Sequence, residues 1–317
     1  MKILNNEKGM ALVITLLVVV ILTVTVTEFI FATWVDYSMA ADFRDDQRAT
    51  MAVRGGIEAA REILVQDYKD NNKVDSLMEA WAMPSIPVPF YNTFVFVTIK
   101  DEAGKFDLNQ LVKPDNSVGP YWEKLDEKQL AIFERLLELL DLDKDIAQAV
   151  VDWIDRNEEG FSEYGYYQSL TPPYKCKNNY IDSMEELKRI AGITPEVYHR
   201  LKPFVTIVSN NDRKININTA RRELILAIDE EISELMAEEV IKARMEKPFD
   251  DTAQLRVAVP EFSDAVLWAR INPLITVKSE TFSVTSTTTV GEVMHDAEAL
   301  LTDRKNKPAH LKYFRVL

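Results

Sequence analysis

The stretch Lys8-Gly9-Met10-Ala11-Leu12-Val13-Ile14-Thr15-Leu16-Leu17-Val18-Val19-Val20-Ile21-Leu22 opens an apolar run that continues to Phe31. From Met10 to Thr27 no residue is charged and Leu, Val and Ile dominate, so the run can cross a hydrocarbon core as a helix of roughly 20 residues. Lys2 and Lys8 precede it, whereas Glu28, Asp36 and Asp42 follow. The positive-inside bias then puts the first residues in the cytoplasm and the bulk of the chain outside the inner membrane. Three readings compete for the run: a cleaved secretory signal, a plain single-span anchor, or a short polar leader cut off ahead of the apolar segment. The run exceeds a usual signal h-region of about 7–15 residues, which weakens the first, although Ser38-Met39-Ala40 imitates a small-residue cleavage site.

Beyond the membrane the helical pattern continues. Ala41, Ala49, Ala52, Val53, Ile57, Ala60, Ile63 and Leu64 recur at three- and four-residue spacing, with Arg44, Asp45, Arg48, Glu58 and Arg61 on the other side. Gly55-Gly56 weakens a helix by about 1 kcal/mol per residue relative to alanine and predicts a bend. A helix from Met10 to about Asp67 reaches on the order of 80 Å. Pro84, Pro87 and Pro89 stop helix formation, and Thr93 to Ile99 then reads as a central strand, apolar on both faces.

Lys105-Phe106-Asp107-Leu108-Asn109 begins a new section, and its shape returns as Lys214-Ile215-Asn216-Ile217-Asn218. A helical stretch follows each copy, Leu136 to Ile154 and Leu224 to Arg244, and then a cap-like phrase, Asp182 to Leu187 against Asp250 to Leu255. The pattern reads as a diverged duplication, with chance similarity of two amphipathic units as the alternative. Past Pro260 the helical texture ends near Arg270; Leu274–Val277, Thr281–Ser286 and Leu311–Leu317 read as strands. Pairing with the strand at Phe94 makes the helical region an insertion within one sheet.

The formal net charge of -14 and pI near 4.8 disfavour a nucleic-acid or anionic-membrane partner for the soluble part. The single cysteine, Cys176, forms no intramolecular disulfide. His199, His295 and His310 stand in no metal or triad spacing, and no His-Glu-x-x-His, Gly-x-Ser-x-Gly or Walker loop is present, so the chain does not read as an enzyme. Asp152-Trp153-Ile154-Asp155-Arg156-Asn157-Glu158-Glu159 ends a helix in oxygen ligands, and Glu163, Asn178, Asn179 and Asp182 line the loop that follows. Hard cations such as calcium take six to eight oxygens of this kind. A solvated acidic loop with Asp182 as N-cap is the alternative, and the spacing is not that of an EF-hand.

The short leader ending in Lys8-Gly9, followed by Met10-Ala11-Leu12 and an unbroken apolar helix, resembles leaders cut by prepilin peptidase. The resemblance implies cleavage after Gly9, with Met10 as the methylated mature N-terminus. Pilins usually carry Glu at the fifth mature residue, where it meets the amine of a neighbour; here that residue is Ile14. Its loss resembles the K-type minor pseudopilins of type II secretion, as does Arg189-Ile190-Ala191-Gly192-Ile193-Thr194 followed by Leu201-Lys202-Pro203-Phe204-Val205-Thr206. That family carries a calcium loop with an Asp-Trp-Ile-Asp start, which implies Asp155, Asn157, Glu163, Asn178 and Asp182 as candidate Ca2+ ligands. The family more often has Asp where Asn157 stands and an acidic residue where Tyr164 stands.

The second repeat unit also resembles helix-hairpin-helix modules, which bind DNA through glycine-rich turns. Here the turn is Ile228-Asp229-Glu230-Glu231-Ile232, without glycine and with three carboxylates, so a scaffold or protein-binding role fits better.

The resemblance implies an α+β, pilin-like fold: a long N-terminal transmembrane helix packed on an antiparallel sheet, with a large all-α insertion containing helix-hairpin-helix-like repeats. The expected divisions are a leader at 1–9, a transmembrane helix at 10–32, and stem helix with first strands at 33–104. An α-helical insertion with the calcium loop at 105–208, a second repeat unit at 209–270 and closing strands at 271–317 complete the chain. The implied function is a cap at the tip of a periplasmic pseudopilus. The implied partners are I- and J-type minor pseudopilins, other pseudopilins, prepilin peptidase and the inner-membrane assembly platform. The rival readings are a membrane-tethered DNA-uptake protein and a minor pilin of a type IV pilus.

Overall fold

The computed structural model describes residues 7–70, 74–114, 123–156, 164–208, 213–305 and 309–316. Helix α1 (Glu7–Asp70) leads into strands β1 (Ile86–Phe90), β2 (Thr93–Asp101), β3 (Phe106–Asp107), β4 (Val112–Pro114) and β5 (Glu123–Leu125). Helices α2 (Glu127–Leu139), α3 (Asp145–Ile154), α4 (Tyr164–Ser169) and α5 (Pro195–Leu201) then precede β6 (Val205–Thr206) and β7 (Ile215–Asn216). After α6 (Arg222–Ala227), α7 (Glu234–Glu246), α8 (Leu255–Ala258) and α9 (Ala265–Ile271) come β8 (Ile275–Thr276), β9 (Thr281–Val290), β10 (Val293–Thr302) and β11 (His310–Val316).

Burial of α1 begins at Ala49; ahead of it, the apolar segment from Met10 is exposed throughout. From there Ala52, Ile57, Ala60 and Leu64 pack on Val95, Val97 and Ile99 of β2, Phe282 and Val284 of β9, and Ala299 and Leu301 of β10. Trp81 closes this core edge-on to Phe282, with ring centroids 5.2 Å apart. The helix runs without interruption through Gly55 and Gly56, where the sequence suggested a bend. A Cβ on Gly56 would lie 2.2 Å from Ser286 Oγ and 2.7 Å from Val95 Cγ1, so this glycine sets the helix-to-sheet spacing.

The sheet is antiparallel in the order β1-β2-β9-β10-β11, with Phe96 opposite Thr287 and Ala299 opposite Val284. Of the closing strands, β9 pairs with the strand at Phe94 and β11 joins the same sheet through β10, and the helical body is inserted between β2 and β9. Three details differ from the sequence reading. β2 buries one face only, with Val95, Val97 and Ile99 inward while Phe94 and Phe96 are exposed. The stretch around Leu274–Val277 does not join this sheet, because β8 pairs with β7. β1 and β10 escape the sequence reading: β1 carries Pro87 and Pro89, tolerable because it is an edge strand, and β10 buries small alanines.

The helical body has its own core, with Phe106 stacked on Phe133 at 5.3 Å and Leu108, Leu136, Val150, Ile154, Leu224, Ile228 and Val240 buried around them. The two helical stretches expected as continuous are each broken. α2 and α3 are separated at Asp141, which takes a positive φ of 51°, and α6 and α7 at the Ile228–Ser233 turn.

The echoing phrases hold equivalent positions. β3 pairs in parallel with β6, and β7 pairs in parallel with β8. Asn109 accepts from Ile181 N at 2.8 Å and donates to Ile181 O at 3.0 Å; Asn218 accepts from Phe249 N and donates to Phe249 O, both at 3.0 Å. Each asparagine therefore staples the start of its own cap-like phrase.

A buried polar joint fastens this body to the stem and sheet. Asn216 Nδ2 donates to Asp75 O at 3.0 Å, Asp101 Oδ2 at 3.1 Å and Ser279 Oγ at 2.8 Å. Ser279 N donates to Asp75 Oδ2 at 2.7 Å, and Arg304 reaches Asp67 Oδ2 at 2.7 Å and Asp75 Oδ1. Because Asp67 lies in the last turns of α1, the body is rooted at the end of the stem opposite the apolar segment.

Candidate functional site

Gly9 and Met10 lie in the first turns of α1, and Met10 and Ile14 are exposed. A helix in lipid must satisfy its polar groups internally. Here Thr15, Thr23, Thr25, Thr27 and Thr33 each donate to a carbonyl three or four residues back, at 2.8–2.9 Å. Phe31 and Trp34 stack at 6.4 Å, and Tyr37, Met39 and Phe43 stay exposed past the charged flank. Among the described residues, large apolar side chains of α1 from Met10 to Val26 and from Phe29 to Phe43 stand exposed, a surface available to other helices.

The acidic loop is organised at the C-terminal end of α3. Asp152 is fully buried, with Gln148 Nε2 donating to its Oδ1 at 2.7 Å. Cys176 Sγ donates to Asp152 O at 3.1 Å, which brings the returning chain against the helix end three residues before Asp155 and two before Asn178. Both residues turn a side-chain oxygen away from solvent, Asp155 Oδ1 and Asn178 Oδ1, and Asn178 adopts a left-handed φ of 49°. Trp153 and Tyr167, edge-on at 5.3 Å, wall the other side, and Trp153 Nε1 donates to Glu186 Oε1 at 3.1 Å.

The predicted ligands divide three ways. Asp155 and Asn178 lie along the shielded part of the loop. Asp182 is exposed, and Lys177 Nζ pairs with its Oδ2 at 2.7 Å while also reaching Glu186. Its backbone N–H donates to Glu186 Oε2 at 3.0 Å, and Ser183 rather than Asp182 precedes the short 3₁₀ turn Met184–Arg189. Asn157 and Glu163 lie outside the described residues.

The helix-hairpin-helix-like turn is closed from both sides. Arg135 of α2 donates to Ala227 O at 2.8 Å and Ile228 O at 2.9 Å, ending α6. Arg270 of α9 holds Asp229 through two hydrogen bonds of 2.8 and 3.0 Å and pairs with Glu231 at 2.7 Å. Burial acts to raise the Asp229 pKa, but the Arg270 bonds outweigh it and hold the carboxyl below its usual range. The turn is thus tied into the body by its own cations instead of offering amides to phosphate. Sequence reasoning missed Arg135, Arg270 and Arg304, which meet partners 39 to 237 residues away and leave no local spacing signal.

An apolar N-terminal helix, long enough to cross a membrane and laid on an antiparallel sheet, with a helical body rooted at the far end of that helix, defines a pilin-like subunit. Comparison with known proteins sharpens this class. Two family models described as type II secretion system (T2SS), protein K match residues 104–210 and 215–278, together more than half of the chain. Type II secretion system protein K of Aeromonas hydrophila is 24% identical over 95% of this chain and 95% of its own length. The Klebsiella pneumoniae protein of the same name is also 24% identical, over 94% and 93%. A chain of the GspK-GspI-GspJ complex from enterotoxigenic Escherichia coli shares the fold at a TM-score of 0.70 and 20% identity, covering 88% of this chain and 99% of that one. The chain belongs to the type II secretion system protein K family, and it is a minor pseudopilin of that system. Neither the DNA-uptake nor the type IV pilus reading finds support.

Proposed function

We propose that this minor pseudopilin caps the tip of the pseudopilus. The observation that carries the reading is the position of the helical body: it is rooted beside Asp67 and Asp75, at the end of the stem opposite the apolar segment. A subunit so widened at its distal end leaves no room for another stacked above it. Ile14 fits the same place, because a terminal subunit faces no amine above it that needs a buried carboxylate. The similar chain from enterotoxigenic Escherichia coli is in complex with GspI and GspJ, which supports I- and J-type minor pseudopilins as partners here. The uncovered α1 surface up to Phe43 is where their helices would pack. The role is assembly rather than catalysis.

The leader is cut after Gly9 by prepilin peptidase, the methylated mature chain starts at Met10, and the soluble part lies in the periplasm, held by the inner membrane and its assembly platform. Equivalent asparagine staples and parallel two-residue ladders support reading the helical body as two related helix-hairpin-helix-like units serving as a scaffold. Calcium fits the acidic loop in donor chemistry: Asp155 and Asn178 supply shielded hard oxygens, and Asn157 and Glu163 would complete the set. Asp182 joins only by giving up Lys177. Bound there, the ion cross-links the loop between Ile154 and Met184.

The test is co-purification from membranes making the whole system, with intact-mass analysis of the recovered chain. The expected result is a chain beginning at Met10 that brings down the I- and J-type subunits. Recovery with an intact Met1, or without those subunits, would overturn the reading.

A further inference from the structure

The joint that fastens the helical body to the stem holds more acid than a structural ion pair needs. Asp67 on α1 and Asp75 and Glu79 on the segment after it each place an oxygen within 4.8 Å of the others. Asp101 at the end of β2 faces the same space, coupled to Asp75 through the Asn216 amide. Asp70, one turn on from Asp67, adds a further negative charge. The cation in their midst among the described residues is Arg304, which is 6% exposed and lies against the rings of Phe282 at 5.0 Å and Tyr68 at 5.5 Å.

The Asp67 and Glu79 carboxylates therefore face each other directly. Two ionised carboxylates this close repel each other and offer acceptors only, and a proton on one of them relieves the repulsion. What the cluster holds is also what the body hangs on. Asp75 N donates to Val277 O at 2.9 Å, Ser279 N donates to Asp75 Oδ2, and Asn216 grips Asp75 O. Val277 and Ser279 are the return path from the body to the sheet, and Asn216 belongs to β7.

We propose that the Asp67–Asp75–Glu79 cluster is a proton-binding latch: taking up a proton relieves its carboxylate crowding and tightens the joint between stem, sheet and helical body. The direction of titration agrees. Burial pushes Glu79 up to about 7 and Asp75 and Asp101 each up to about 6, and it raises Asp67 even against Arg304. With folded pKa values above the unfolded ones, the folded joint binds more protons than the unfolded chain. Stability therefore rises as pH falls through about 7 to 5 and is lost as pH climbs back through that window. The latch is independent of where the subunit sits in the pseudopilus.

The experiment is hydrogen exchange on the full chain in detergent micelles at about pH 5 and about pH 7.5, corrected for intrinsic exchange, following the amides of Asp75 and Ser279. The latch predicts opening at least about tenfold rarer at the lower pH. The amides of α7, remote from the cluster, should not change. Glu79→Gln, which mimics the protonated acid, should show a smaller difference between the two pH values, the remainder belonging to Asp75 and Asp101. Equal protection of Asp75 and Ser279 at the two pH values, or an equal change in α7, overturns the proposal, as does a Glu79→Gln chain with wild-type pH dependence. Should that variant fail to fold, Asp67→Asn carries the same expectation, and the wild-type comparison decides without any variant.

Discussion

Gly56 and two asparagines show how single residues set this architecture. Gly56 faces Ser286 Oγ where a Cβ would be 2.2 Å away, and Val95 stands close behind. Gly56→Ala therefore forces the stem off the sheet, and the expected loss is about 1–3 kcal/mol, read by denaturant unfolding of the full chain. Gly55, whose Cβ would meet only the Phe90 ring edge at 3.2 Å, should tolerate alanine better. The glycine pair is visible in the sequence, but its role is not: as a helix feature it predicted a bend, whereas the structure uses Gly56 for a close approach by residues some 40 and 230 positions later. Asn109 and Asn218 were legible as part of an echoing phrase, and their stapling of Ile181 and Phe249 gives that echo a physical meaning. Asn218→Ala leaves the Phe249 N–H and C=O buried without partners, at a cost of at least about 2 kcal/mol. Asn109→Ala should cost a similar amount, and a marked inequality in their denaturation midpoints would argue against equivalent roles.

Among the elements, those with strong local patterning were readable ahead of the structure. The apolar run gives α1, and the alternation of Phe282, Val284 and Ser286 gives β9 with its buried face. β1 was hidden because prolines normally argue against a strand, and β10 because its inward residues are Ala297 and Ala299, weak strand formers beside Asp296 and Glu298. The acidic loop was legible as a run of oxygen donors, but not its scaffolding: Cys176 on the Asp152 carbonyl and Lys177 on Asp182 are contacts that spacing does not announce. A calcium-linked loop predicts that chelation speeds proteolytic cleavage between Ile154 and Met184, while cleavage elsewhere is unchanged. Calcium restores resistance on this account, and Asp155→Asn abolishes the difference. Identical digestion with and without chelator would contradict calcium binding there.

For the molecule as a whole, what matters is that two cores are joined at one polar root. The stem and sheet form one, the helical body the other, and Asp75, Asn216 and Arg304 bind them together at the far end of α1. The insertion of helices between β2 and β9 followed from the sequence order of strands, helices and strands. The root did not, because Arg304 and Asp75 are 229 residues apart and no pattern links them. In the proposed role, the position of the body suits a subunit that ends a filament rather than one repeated along it. The most direct measurement is therefore to shear pseudopili from cells making the whole system, label this chain with gold-tagged antibody, and image the filaments by electron microscopy. The account predicts label at one end of each labelled filament and none along its length. Gold spaced along the shafts would contradict it.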